Sequence, residues 1–340
     1  MTLAPNASIV LGSERFDTHA LRVTAQLAPL PGIGSFRAVF PANVQLSASA
    51  GDDATLDLDG GEGRERVLTG TVRIVRRGVH HTEVIAADAG FALAELRPAT
   101  TYRNQSADDV IQALASDGGI TVNAGVGLSM AAYVADQRRS AAQHIAMLAT
   151  LGGAMARVTG DGELEVNRPV GLMPDVAMKY GREIVSCEIS SGAAPPAKRV
   201  RTGSGPAGSA MAPNALRPTK DPLPSGASDP GSGAIWTPSA ILRTPTSAAT
   251  AGAAADVAAS SAATRIRATA FLVPKLRPGM VVDIQDLPGA MSGGPWMLTR
   301  VTHTLDGRDG GRTEFEGEQA SSLDLAALAG AALSAIGGLL

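Results

Sequence analysis

The stretch TYRNQSADDVIQALASDGGI, residues 101–120, decides the reading of the fold, because the spacing of its apolar residues changes partway along. Val110, Ile111 and Leu114 recur on one helical face, after a Ser106 that stands where an N-cap belongs. Ser106 and Asp109 form an S-x-x-D capping box. That places Asp108 and Asp109 in the first helical turn, where unpaired N–H groups and the helix dipole favour negative charge. Gly118 and Gly119 stop the helix by supplying a left-handed residue without a Cβ clash. The two aspartates have a competing reading as a catalytic carboxylate pair. Adjacent helical residues point about 100° apart and cannot clamp one substrate, so the stretch reads as scaffold.

Towards the N-terminus the period is two. Leu21, Val23, Ala25 and Leu27 alternate with Arg22, Thr24 and Gln26, and Leu56 and Leu58 alternate with Asp57 and Asp59, as in half-buried strands. Pro29, Pro31, Gly32 and Gly34, then Gly60, Gly61 and Gly63, punctuate them as turns. Residues 1–97 are therefore expected to form a first antiparallel barrel closed by hairpins.

Towards the C-terminus, Ser140 and Gln143 box a second helix that buries Ile145 and Leu148 and stops at Gly152 and Gly153. Residues 156–166 form a hairpin around Asp161-Gly162. Together these parts make an α+β domain, two capped helices and hairpin strands, over residues 98–200. Residues 201–246 are a Gly/Pro/Ser-rich linker without apolar periodicity. An alanine-rich helix near 247–262 leads to strands at 265–271, 281–286, 296–305 and 312–318, a second barrel within 247–320. Leu68-Thr69 and Thr82-Glu83-Val84 in the first part are echoed by Leu298-Thr299 and Thr313-Glu314-Phe315 in the last, which suggests one hairpin plan used twice. The fold class is mainly β, two antiparallel barrels per chain with an α+β insertion.

The 340 residues suffice for several cores. With 29 basic and 32 acidic residues the net charge is −3, which offers no broad cationic surface for nucleic acid. Cys187 is the single cysteine, so neither an intrachain disulfide nor a cysteine metal cage can form; in the strand-like IVSCEIS it reads as a half-buried structural thiol. The start MTLAPNASIVLGSERF lacks the pattern of a signal peptide, and synthesis and assembly in the cytoplasm are expected.

Motifs of chemistry fail on spacing. His80 and His81 are neighbours on a strand and face opposite sides of a sheet, so they do not make a metal site. DLDGGE, residues 57–62, holds only half of a calcium loop and reads as a hairpin turn. GVGLSM, residues 125–130, has Met130 where a dinucleotide fingerprint needs its third glycine. Neither a G-x-S-x-G elbow, nor H-E-x-x-H, nor a phosphate loop occurs. No catalytic, cofactor-binding or metal-binding residue is assigned.

The order of parts carries a resemblance. TGTVRIVRRGVHHTEVIAAD, YRNQSADDVIQALA, YVADQRRSAAQHIAMLATLGG and DGELEV are followed by the linker, the alanine-rich helix, LRPGMVVDI and WMLTRVTHTLDGRDGGRTEFEG. This order, over most of residues 67–317, resembles the baseplate hub proteins of phage tails and contractile injection systems, related to late control protein D and to the N-terminal part of VgrG. The resemblance implies a structural homotrimer with two tube-like barrels per chain. It further implies a pseudo-sixfold ring that joins a hexameric tail tube protein to a trimeric spike or tip protein among other baseplate proteins, in a virion tail or tail-like particle. Nothing resembling a fused lysozyme, peptidase or spike follows, so wall cutting is expected of another protein. The rival reading, a cell-wall hydrolase, lacks an acid and base pair.

The last stretch, LDLAALAGAALSAIGGLL, residues 323–340, is apolar but short of the ~20 residues that span a bilayer. A membrane-active tip is the second alternative. The favoured reading is a contact with another component through Leu323, Leu325, Leu328, Leu333 and Ile336, at near-helical spacing.

Overall fold

The computed structural model describes residues 5–17, 19–168, 174–192, 199–203, 235–239, 241–242, 245–289, 291 and 294–320. Its N-terminal strands are β1 (Asn6–Leu11), β2 (Glu14–Phe16), β3 (Arg22–Leu27), β4 (Ser35–Pro41), β5 (Asp53–Asp59), β6 (Arg64–Arg77) and β7 (His81–Asp88). A middle part follows: α1 (Gly90–Glu95), β8 (Thr100–Ser106), α2 (Ala107–Asp117), β9 (Val122–Ala124), β10 (Ser129–Ala135), α3 (Ala141–Leu151), β11 (Met155–Val158) and β12 (Leu164–Asn167). Then come β13 (Val176–Lys179), β14 (Ile184–Ser191), β15 (Arg199–Gly203), β16 (Ile235–Ser239) and α4 (Pro245–Ser261). The chain returns to strands in β17 (Thr264–Phe271), β18 (Val281–Gln285), β19 (Trp296–Asp306) and β20 (Gly310–Gln319).

The period-two alternation sorts side chains by face. Val23, Ala25 and Leu27 of β3, Phe36, Ala38 and Phe40 of β4, and Ala54, Leu56 and Leu58 of β5 are buried in one apolar core, while the intervening residues stay on the other face. Ile266, Ala268 and Ala270 of β17, Val301 of β19 and Phe315 of β20 enter the same core from the far end of the sequence. A second core lies in the middle part. It gathers Val110, Ile111 and Leu114 of α2 with Ile145 and Leu148 of α3, Leu164 and Val166 of β12, and Ala248 and Ala251 of α4. The loop after β3 bridges the two: Leu30 is buried in the second core and its N–H donates to the Ala156 carbonyl at 2.8 Å.

The chain is mainly β, but the pairing of its strands corrects the expectation of two separate barrels. Thirteen strands from both ends share one sheet in the order β14-β17-β20-β19-β3-β4-β7-β6-β5-β1-β2, with β18 beside β19 and β13 beside β18. The two ends join where β19 pairs antiparallel with β3, Val301 opposite Leu27 through Asp306 opposite Arg22. Among the described residues no pairing closes the sheet on itself. The physical reason is edge satisfaction: the free edges of β3 and β19 meet each other instead of each closing its own half.

Each half carries the same plan. β3-β4-β7-β6 and β14-β17-β20-β19 have the same order of strands along the sheet relative to their order in sequence. Aligning Thr82 of β7 with Thr313 of β20 superposes the bulges. The β6–β7 register slips between Val72 and Ile74, and the β19–β20 register slips between Leu298 and Arg300. The correspondence reaches the backbone: Gly51 N–H donates to the Val72 carbonyl and Val72 N–H to the Asp52 carbonyl, both at 2.8 Å. In the other half Gly279 N–H donates to the Leu298 carbonyl at 2.7 Å and Leu298 N–H to the Met280 carbonyl at 2.8 Å. Gly51 and Gly279 both have φ in the left-handed region, 99° and 84°, where a side chain is strained. The echo read from sequence is thus real but shifted: Leu298-Thr299 stands for Val72-Arg73, not for Leu68-Thr69.

Candidate assembly surface

The helix that opened the reading is capped as expected. Asp109 N–H donates to Ser106 Oγ at 3.1 Å and Ser106 N–H to Asp109 Oδ2 at 3.0 Å; the Ser106 hydroxyl also donates to Asp109 Oδ2 at 2.7 Å, and this bond, with that of Ser106 N–H, holds the Asp109 carboxyl below the usual carboxylate range. Asp108 has a separate structural task. Its two oxygens accept from the N–H groups of Val126 and Gly127 at 2.7 and 2.9 Å, which fastens the loop before β10 to the start of α2. The Ser140–Gln143 box of α3 forms with bonds of 3.3 and 3.0 Å. In DLDGGE, Asp59 Oδ1 accepts from Gly61 and Gly63 N–H at 2.7 and 3.2 Å, an ordinary turn between β5 and β6.

Two buried histidines are bound into proton-satisfied chains that sequence patterning did not reveal. In β19, His303 Nε2 donates to the Leu276 carbonyl at 3.3 Å and its Nδ1 accepts from Thr313 Oγ1 at 2.9 Å, while Thr313 Oγ1 accepts from Val273 N–H. This assignment of protons follows from the network. Burial, reinforced by the neighbouring Arg277 cation, pushes His303 down to about 3, so the ring is neutral near pH 7. In the first half Arg77 stands in the place of His303, and its guanidinium donates to the Ala48 carbonyl at 3.0 Å, the counterpart of Leu276. Behind α3, Tyr133 Oη donates to His144 Nδ1 at 2.6 Å and His144 Nε2 to the Asp136 carbonyl at 3.0 Å. These groups fasten segments together from inside the fold.

His80 lies in the turn before β7 and His81 is its exposed first residue; among the described residues no three His, Cys, Asp or Glu side chains converge as a metal site. Cys187 of β14 is half-buried and burial raises its pKa. Also among the described residues, no helix is long and apolar enough to cross a membrane. Leu323, Leu325, Leu328, Leu333 and Ile336 lie outside the described residues, as does most of the linker.

What remains is surface. The face of the sheet away from its core carries rows of Arg and Glu, paired across strands as Arg37 with Glu83 and Arg267 with Glu316, both at 2.5 Å, and along β20 as Arg312 with Glu314 at 3.1 Å. Arg37 and Arg267 occupy equivalent positions in the two halves. At the join Arg22 Nε donates to Asp306 Oδ2 at 2.6 Å. A groove of about 610 Å³ crosses that join, lined among others by Gln26, Arg267, Arg300, Thr302 and Glu316. Two sheet edges end this face. Among the described residues no strand pairs with β14 on the side away from β17, or with Arg73–Arg77 of β6 on the side away from β7.

No protein-family model matches this sequence, and no curated protein matches it. Solved structures do. A tail protein from Neisseria meningitidis MC58 superposes with a TM-score of 0.68 at 13% identity, over 93% of this chain and 97% of that one. The 43 kDa tail protein of prophage MuSo2 from Shewanella oneidensis gives 0.65 at 14% identity, over 92% and 98%. An E. coli type VI secretion component, described as similar in structure to the T4 bacteriophage tail proteins gp27 and gp5, gives 0.61 at 9% identity, over 89% and 74%. At such identities the likeness is one of fold, and it runs nearly end to end. The chain has the fold of phage tail proteins and of their type VI secretion counterpart.

Proposed function

We propose that this protein is a structural baseplate hub of a phage tail or related injection particle, without catalysis of its own. In this reading three copies form a ring with six similar positions, seated between a sixfold tail tube and a threefold spike or tip. The observation that carries it is the duplicated four-strand unit: a chain that presents one strand plan twice in one sheet lets a trimer offer a sixfold partner six nearly equivalent surfaces. The two halves then supply the tube-like barrel segments of the ring, which close only between copies. The capped helices of residues 98–200 brace the loop after the first unit's leading strand, and the fold shared with tail proteins and a type VI secretion component supports the setting. The apolar run at 323–340 would dock on the spike or tip through Leu323, Leu325, Leu328, Leu333 and Ile336.

The test is the mass of the assembled hub and its symmetry in images. Three chains per ring with six similar lobes are expected, and a ring of six whole chains would refute the reading. Deleting residues 322–340 should leave the ring intact while particles fail to acquire the spike; normal spike incorporation would remove the docking proposal alone.

A further inference from the structure

We infer that the ring is sealed by β6 of one copy pairing antiparallel with β14 of the next, in the register Val75 opposite Ser191, Arg76 opposite Ser190 and Arg77 opposite Ile189. This rests on the hub reading and specifies its contact.

The argument is internal to the chain. Along the sheet the two units run β14-β17-β20-β19 and then β3-β4-β7-β6. Their join uses the last strand of one unit and the first strand of the other, β19 against β3. The outer edges of the pair are therefore β14 and β6, and these are the counterparts of β3 and β19. A second copy that offers its β14 to this β6 repeats a junction the chain already makes with itself.

The register transfers residue by residue. In the second unit His303 faces Thr313, and in the first Arg77 faces Thr82, so Val301, Thr302 and His303 correspond to Val75, Arg76 and Arg77. On the other side Thr24 faces Arg37 and Glu188 faces Arg267, so Ala25, Gln26 and Leu27 correspond to Ile189, Ser190 and Ser191. Since Val301, Thr302 and His303 lie opposite Leu27, Gln26 and Ala25 within the chain, the stated pairs follow.

Charge and exposure agree with a second copy as the occupant. Arg73, Arg76 and Arg77 crowd the β6 edge and the exposed Glu188 lies on β14, a complement that like edges meeting each other would lack. Ile74 on β6 is 39% exposed, an apolar group that water penalises until a neighbour covers it. β14 carries neither the proline nor the lysine with which solitary edge strands block pairing. An antiparallel partner would satisfy its outward N–H and C=O groups in the manner that β3 satisfies β19.

The test is a disulfide across the contact in the full chain with Cys187→Ser as background. Residues opposite each other on antiparallel strands have Cα atoms about 4.5–5.5 Å apart, within disulfide reach. Arg76→Cys with Ser190→Cys should convert the oxidised hub almost wholly to covalently closed trimers. Arg76→Cys with Ser186→Cys, displaced by about 13 Å along the strand, should not. A trimer by mass that links at the displaced pair or at neither overturns the register while leaving the hub reading intact. A chain that is monomeric by mass in the assembled particle overturns both. Hydrogen exchange on the unaltered hub guards against a variant that misfolds: slow exchange of the outward amides in Val75–Arg77 and Ile189–Ser191 supports the contact, and exchange at solvent rates overturns it.

Discussion

Two buried side chains set opposing pH dependences. Asp88, at the end of β7, accepts backbone N–H bonds from Gly34 and Gly90, both at 2.9 Å, yet burial outweighs them and pushes its carboxyl up to about 7. The folded chain therefore holds a proton on Asp88 that the unfolded chain releases near 3.8, so this stabilising contribution is complete below about pH 4 and lost as pH rises to about 7. His303 acts in the reverse sense. Its folded value near 3 lies below the ordinary 6.5, so its contribution is complete above about 6.5 and lost as pH falls. Each group alone gives a slope of about 1.4 kcal/mol per pH unit, and between pH 4 and 6.5 the two slopes cancel. Asp88→Asn should uncover the histidine, making stability to urea rise with pH across that window. A flat profile in the variant would contradict this account of Asp88. Neither group is recognisable from its sequence neighbours, because the shift comes from the packing of distant strands around a single atom.

The capping boxes were legible because every bond in them spans three residues. Ser106→Ala should destabilise by about 1 kcal/mol through loss of the N-cap, read as a shifted urea midpoint at unchanged slope. If it instead abolished a hydrolytic activity in a folded chain, the scaffold reading of residues 101–120 would fail. Most strands were equally legible, since β17, β18, β19 and β20 begin and end within two residues of the positions expected from alternation and turn residues. What could not be read was partnership. β12 pairs parallel with β9 and β13 parallel with β18, and such ladders join strands far apart in sequence and leave no local turn signature. The hold of Asp108 on Val126 and Gly127 was hidden for the same reason. The alanine-rich α4 was visible as a helix, but its uniform small residues did not say which core would receive Ala248 and Ala251. The apparent match of Leu68 with Leu298 misled by four residues, because the bulges are equivalent but the β19–β20 hairpin is longer: ten residues separate the facing pair His303 and Thr313, and five separate Arg77 and Thr82.

At the scale of the whole molecule the duplicated sheet presents one strand plan twice along a single chain, the feature on which the proposed ring rests. The join between β19 and β3 also has a consequence in time. The first unit is assembled over shorter separations: β3 meets β4 across seven intervening residues, β6 meets β7 across three, and β4 meets β7 across 39. The join must wait for Val301 to find Leu27, almost the whole chain away, and β14 finds β17 only after the intervening residues have been made. Closing long loops costs entropy before any contact offsets it, so the distant pairings should form last. During synthesis the N-terminal unit would then stand complete with the β3 edge open, serving as the template on which the final hairpin settles. Pulse-labelled hydrogen exchange during refolding should find the amides of β4 and β7 protected before those of β19 and the β3 amides that face β19, and simultaneous protection would rule this order out. An open edge also attracts any other nascent copy, so a delay between the two units would favour partner exchange: the same geometry that would join finished copies in the proposed ring can let unfinished ones swap their last strands.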